Sequence, residues 1–298
     1  MRLRSSVGRA AVLQHQPPAD LPDSDKPRLR DVLMQSGALS EADVDAVTQM
    51  QQRTGRLFGE TCLDLGLCDA DTIQAALDQQ HGYALIEPGS DAVDPQVSVA
   101  YGTDPALAEN MRALRARLLS RRAGANDGHA MLAFIGADDG ASGSVIVANF
   151  AVASAQLGFS VLLVDAAIDQ PAQHRLFRRS NRIGLTTILG ERDDPSVAIQ
   201  DTAVPHLSLL AAGPAVPHPA EFFERNSLSG AIRAFSPPFD LVVVDAGAGS
   251  SDVSAALAVG LDGAVVITRR HKTPVRRVRR LADRLADRGV ERLGTVIA

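Results

Sequence analysis

From residue 131 to residue 297 the chain alternates short apolar, β-branched runs with amphipathic stretches, and no other pattern restricts its fold as much. The runs are Met131–Ile135, Val161–Asp165, Leu207–Leu210, Leu241–Asp245, Ala264–Thr268 and Gly294–Ile297. Helical periodicity fills the gaps at 144–158, 171–178, 219–235, 251–260 and 274–288, and a helix from Pro105 to about Arg121 leads in. Strands apolar on both faces and joined by helices form βαβ units. The prediction is α/β: a mostly parallel sheet with helices on both faces, over residues 105–298. Apolar residues make up 45% of the 298, enough for such a core.

The chain before residue 105 has a different character. Residues 1–25 carry Pro17, Pro18 and Pro22 among polar residues without periodicity, which predicts a disordered arm. Residues 26–86 contain an internal repeat: Leu29–Gln51 and Phe58–Gln80 align 29 residues apart. Each copy reads as a short helix, a glycine stop (Gly37, Gly66), an acidic cap and a longer amphipathic helix. The caps are Ser40 with Asp43, and Asp69 or Asp71. A small all-α domain is predicted. Residues 87–104, rich in Pro, Gly and Asp, read as a linker.

Composition removes several classes of function. A net charge of −5 excludes a generally basic nucleic-acid-coating protein. No apolar run approaches the roughly 18 residues of a membrane span. The two cysteines, Cys62 and Cys68, make neither a disulfide framework nor a four-ligand zinc set and read as buried thiols. The chain reads as cytoplasmic.

Chemistry concentrates behind the first strand. Gly136-Ala-Asp-Asp-Gly140-Ala-Ser-Gly143-Ser144 joins that strand to a helix, the place where α/β proteins bind phosphate through backbone N–H groups and the helix dipole. Gly140, Ser142, Gly143, Ser144 and Val145 are the candidate phosphate-binding residues. Against the pattern G-x-x-x-x-G-K-[ST], Ser144 fits the Mg²⁺-binding hydroxyl, Gly143 takes the lysine position and Ser142 the close-approach glycine. Asp165 and Asp245 end strands at the ligand edge of the sheet. With Ser144 they form the candidate Mg²⁺ set.

Five segments in order carry a resemblance. They are Gly140 to Asn149 with Phe150 and Ala151, Val161 to Pro171, Leu209 to Glu221, Phe239 to Asp245, and the helix Glu109-Asn-Met-Arg112-Ala-Leu-Arg115. Over about residues 105–298 the sequence resembles the bacterial tyrosine kinases of capsule and exopolysaccharide export, a branch of the MinD/ParA-type deviant-Walker P-loop ATPases. The resemblance implies ATP or ADP with Mg²⁺ as ligands, and vestigial catalytic roles for Asp165 and Asp245. It implies homo- or hetero-oligomer contacts through Glu109, Arg112 and Arg115. It also implies a membrane polysaccharide co-polymerase as partner, which would make the protein peripheral to the inner membrane.

The departures are as specific as the matches. Gly143 replaces the phosphate-gripping lysine, Ala167 the second Asp of the Walker A′ strand and Asp169 the following Arg. No Lys lies between Lys26 and Lys272, the only tyrosines are Tyr83 and Tyr101, and the family's tyrosine-rich tail does not follow. Phosphoryl transfer depends on positioned cations. The expectation is a pseudokinase acting as regulator or scaffold. Its rival is an ATPase or tyrosine kinase with an unusual phosphate loop, for which Arg269 and Arg270 are the obvious spare cations.

The helical repeat resembles the N-terminal domain of type II secretion and pilus ATPases, some of which bind cyclic di-GMP. Arg28, Leu29, Gly37 and Gln51 match in the first copy; Gly59, Gly66, Leu77 and Gln80 match in the second. Arg30 and Leu57 replace a glycine and an arginine of that pattern, so weak or no binding is expected. A basic run, Arg269 to Arg280, overlies an apolar stripe of Val275, Val278, Leu281 and Leu285 and reads as a solvated helix face.

Overall fold

The computed structural model describes residues 29–54, 56–70, 72–73, 76, 86–87, 89–120, 130–138, 142–191, 195–235, 239–248 and 252–298. The expected disordered arm, Arg28, Leu77, Gln80, Tyr83 and Gly140 lie outside the described residues. The chain divides into two compact units, Met1–Asp69 and Ala70–Ala298.

The first unit contains α1 (Leu29–Gln35), α2 (Glu41–Thr54) and α3 (Phe58–Asp64). The helices α1 and α3 start at equivalent positions of the sequence repeat, and each ends two residues before a left-handed glycine. Gly37 has φ 75° and Gly66 φ 65°, values that other residues adopt only with strain. Ser40 caps α2 reciprocally: its backbone N–H donates to Asp43 Oδ2 at 2.9 Å, and the Asp43 N–H donates to Ser40 Oγ at 3.3 Å. Val32, Leu33, Val47 and Cys62 are buried. Cys68 is only half-buried, unlike its expected state.

The second unit is built on a seven-stranded sheet. In chain order it contains α4 (Ser98–Tyr101), α5 (Pro105–Ser120), β1 (Ala130–Gly136), α6 (Ser142–Ala155), β2 (Val161–Asp165), α7 (Gln173–Leu176) and α8 (Leu185–Glu191). There follow β3 (Ile199–Asp201), β4 (Leu207–Leu210), α9 (Pro219–Arg225), α10 (Leu228–Phe235), β5 (Leu241–Ala248), α11 (Asp252–Leu257), β6 (Gly263–Thr268), α12 (Val275–Asp287) and β7 (Arg292–Ile297). The strand order is β3-β4-β2-β5-β1-β6-β7, parallel except for the antiparallel edge pair β3–β4. Alternation along β1 feeds two cores. Leu132 and Phe134 join α4, α5 and α6 on one face. Met131, Ala133 and Ile135 join α8 to α12 on the other. The Phe134 and Phe150 rings meet at 4.8 Å. The predicted α/β architecture is the observed one.

Three expectations change, and two short elements come unforeseen. Residues 87–104 are no mere linker: Val93, Val97, Val99 and Tyr101 are buried in the core. Asn149 of α6 clasps this segment, accepting from the Val99 N–H at 3.0 Å and donating to the Gln96 carbonyl at 3.1 Å. Its Pro, Gly and Asp content masked the few apolar residues that do the packing. The helix expected over 219–235 breaks in two at Asn226, whose extended backbone leaves α9. The short pieces α8 and β3 had no prediction. Finally, Val275 stands 66% exposed at the start of α12, whereas Leu281 and Leu285 are buried as expected.

Candidate functional site

The site forms where β1, β2 and β5 reach the C-terminal edge of the sheet and α6 begins. Asp165 and Asp245 are register partners on adjacent parallel strands, and both are buried. Each finds its hydrogen bonds within the protein. Asp165 Oδ1 accepts the Ala167 N–H at 3.2 Å, and its Oδ2 accepts the N–H groups of Ala172 and Gln173 at 3.0 and 2.9 Å. Asp245 Oδ1 accepts the Gly247 N–H at 3.1 Å, its Oδ2 accepts Gln173 Nε2 at 2.7 Å, and the Ser144 hydroxyl also interacts with it. Burial, followed by repulsion from Asp245, pushes the Asp165 carboxyl up to about 7. Burial likewise raises Asp245, against the hydrogen bonds from Ser144, Gln173 and Gly247.

A cavity of about 210 Å³ opens beside this pair, lined among others by Gly136, Gly143, Ser144, Ala167, Arg175 and Gly247. Gly247 has φ 67°, and a Cβ there would come within 2.8 Å of the Ala167 Cβ, so the floor tolerates only glycine at this point. A Cβ on Gly143 would meet nothing within 4 Å. Packing therefore does not exclude a side chain at the lysine position; the position is simply without one.

The expected spare cation Arg269 is committed elsewhere. Its Nε donates to both oxygens of Asp138, at 3.0 and 3.2 Å, and Thr273 Oγ1 donates to the same carboxylate. Burial alone would raise Asp138, yet the bonds from Thr273 and Arg269, with the charges of Arg269 and Arg277, hold it below its ordinary value. Arg270 is exposed and does not line the cavity. Arg175 lines it instead, and no hydrogen bond or ion pair holds its guanidinium among the described residues. Sequence reasoning missed Asp138, Gln173 and Arg175. Only Arg175 carried a signal, a basic residue just beyond the matched segment that ends at Pro171.

A divalent cation fits these residues poorly. Mg²⁺ requires oxygen ligands in near-octahedral geometry. A carboxylate offers about four acceptor positions, and protein donors already engage both carboxylates at several of theirs. Among the described residues no three His, Cys, Asp or Glu side chains converge as a metal set.

The remaining expected site residues lie apart. Val145 is in the first turn of α6; nothing is described of the Ser142 side chain. On α5, Glu109 is exposed, while Arg112 and Arg115 are half-buried and the Arg115 guanidinium sits 4.9 Å over the Phe159 ring. In the helical unit, Leu29 is on α1, Gln51 on α2 and Gly59 on α3, with Gly37 and Gly66 in the turns. Gln51 Nε2 donates to the Arg56 carbonyl at 3.0 Å.

Known proteins share this arrangement of strands. No protein-family model matches the chain. CapB of Staphylococcus aureus is 30% identical over 140 residues, 47% of this chain and 60% of CapB. The tyrosine-protein kinase YwqD of Bacillus subtilis is 34% identical over 102 residues, 34% of this chain and 43% of YwqD. The tyrosine-protein kinase CpsD of Streptococcus agalactiae is 27% identical over 169 residues, 56% of this chain and 74% of CpsD. This chain is a homologue of the bacterial tyrosine-protein kinases. It spans less than two thirds of the length of CapB and of YwqD. The kinase domain of the Escherichia coli tyrosine kinase ETK superposes on this kinase homologue with a TM-score of 0.63 at 23% identity, covering 70% of this chain and 81% of that one. The chimerical protein CapA2B2 does so with a TM-score of 0.62 at 22% identity, over 74% and 97%. These two likenesses establish the fold.

Proposed function

We propose that this kinase homologue is a non-catalytic regulator or scaffold of bacterial exopolysaccharide or capsule biosynthesis and export, docked to a membrane polysaccharide co-polymerase. The observation that carries this reading is Gly143: at the first turn of α6, beside the cavity, an open position holds no cation. Phosphoryl transfer draws its rate from positioned positive charge, so a site lacking it loses most of its catalytic power. The protein would assemble with itself or with an active kinase through the exposed side of α5, where Glu109 lies. No helix among the described residues is long and apolar enough to cross a membrane, so membrane association would run through the partner. Incubation with Mg·ATP followed by intact-mass measurement and a phosphate-release assay tests the reading. Unchanged mass and no release are expected. A phosphate on Tyr83 or Tyr101, abolished by Asp245→Asn, would overturn it.

One observation favours a second reading, an ATPase or kinase with a rearranged grip: Arg175 lines the cavity and makes no ion pair among the described residues. Nucleotide hydrolysis lost in Arg175→Ala would establish that reading instead.

A further inference from the structure

Gln173 joins three of the elements that build the site, β2, β5 and α6. It is fully buried at the start of α7. Its backbone N–H donates to Asp165 Oδ2 at 2.9 Å, which ties it to the end of β2. Its side-chain Nε2 donates to Asp245 Oδ2 at 2.7 Å, within β5, and to the Ser144 carbonyl at 3.0 Å, in the first turn of α6. A carboxamide nitrogen has two donors, and here both are used. Its Oε1 is buried without a hydrogen-bond partner among the described residues. Turning the amide over would point that oxygen at a carboxylate and a carbonyl, acceptor against acceptor. The orphan oxygen shows which end of the amide the site needs: the electropositive one.

Where a carboxylate of the sheet and a first-turn residue of the phosphate-loop helix must be held together, a divalent cation is the usual link. We propose that the Gln173 carboxamide is a built-in substitute for that cation, closing the Asp245–Ser144 junction so that the site keeps its shape without Mg²⁺. The inference rests on the non-catalytic reading above and deepens it. A neutral donor fixed by the chain leaves the junction permanently assembled, with no dependence on metal for its order.

The experiment compares thermal unfolding of the full chain in excess MgCl₂ and in EDTA, for the natural protein and for Gln173→Ala. The natural protein should melt at the same temperature in both. Gln173→Ala should melt lower in EDTA and recover in MgCl₂ by several degrees, on the order of 5 °C for a site near saturation. Folding of the variant only in MgCl₂ would support the inference equally. A Mg²⁺-dependent rise in the natural protein would overturn it, as would a variant insensitive to Mg²⁺. Should the variant fail to fold in either buffer, calorimetric titration of MgCl₂ into the natural protein decides: absent binding supports the inference, and binding overturns it. Mg²⁺ binding without phosphate transfer would sink this inference alone, whereas phosphate transfer would sink the non-catalytic reading.

Discussion

Arg269 and Asp138 form a pair in which one guanidinium nitrogen reaches both carboxylate oxygens, at 3.0 and 3.2 Å, with the Asp138 side chain 8% exposed. The pair fastens the loop after β6 to the loop after β1. Replacing Arg269 with Ala would leave a buried carboxylate with too few partners, a change that costs several kcal/mol when fully buried. Because Arg269 itself is about one third exposed, about 2 kcal/mol is expected, read as a lower urea midpoint with unchanged slope. No loss of stability would show that Thr273 alone satisfies Asp138.

The carboxyl pair of Asp165 and Asp245 makes stability depend on pH. Both are raised above the ordinary 3.8 by burial, with mutual repulsion adding for Asp165, which reaches about 7. The folded protein thus holds protons that the unfolded chain has released between about pH 4 and 7. Its contribution is complete below about 4, falls as pH rises through 7, and is on the order of a few kcal/mol. Asp245→Asn removes the repulsion and should flatten this slope in urea unfolding measured across that range. An equally steep slope in the variant would place the titration elsewhere.

Restoring Gly143→Lys should be tolerated by the fold, since a Cβ there meets nothing within 4 Å. A lysine there should tighten ATP binding by roughly tenfold or more, as charged hydrogen bonds do. Turnover should rise far less, because Ala167 still leaves the Walker A′ strand without its second carboxylate. Calorimetry and phosphate release separate the two effects; vigorous hydrolysis in this single variant would show that Ala167 matters little.

Calorimetry with cyclic di-GMP should give weak binding or none. Arg30 and Leu57 stand where the pattern that the helical repeat resembles has a glycine and an arginine, and Gln51 already bonds the Arg56 carbonyl. A submicromolar dissociation constant would promote a receptor role for the helical unit.

The α5 charges should divide in their effects. Glu109→Ala removes an exposed group and should weaken self-association or partner pull-down without altering thermal stability. Arg115→Ala also removes a guanidinium stacked on Phe159 and should cost about 0.5–1 kcal/mol of stability. Sedimentation velocity and thermal melts on each variant check the division. Unchanged sedimentation and pull-down for both would leave the charges as a helix pattern without a partner role.

Much of this was legible in the chain. Five of the six apolar runs became strands largely buried on both faces, which need continuous apolar sequence, and the sixth became the half-exposed edge strand β7; Asp165 interrupts that apolarity at the end of β2 and Asp245 within β5. Gly37 and Gly66 marked their turns because their φ angles are positive. Gln173 was not legible. A buried glutamine on a one-turn helix has no periodic mark, and its partners lie on segments far away in sequence. Asp138 and Arg269 are separated by 131 residues, so only the folded sheet brings them together.

Asn149 gives the chain a boundary of a different kind. Its amide holds Val99 and Gln96, while Asp94 N–H donates to the Leu176 carbonyl at 2.7 Å and the Tyr101 hydroxyl accepts from Val93 at 3.2 Å. A cut at residue 105, where the sequence pattern changes, would carry away part of the sheet's own covering and strand Asn149 among unmet partners. The seam along which the helical module could be exchanged for another, by gene fusion or by design, therefore lies upstream of Ile86, and whatever is spliced on must leave this clasp with the sheet.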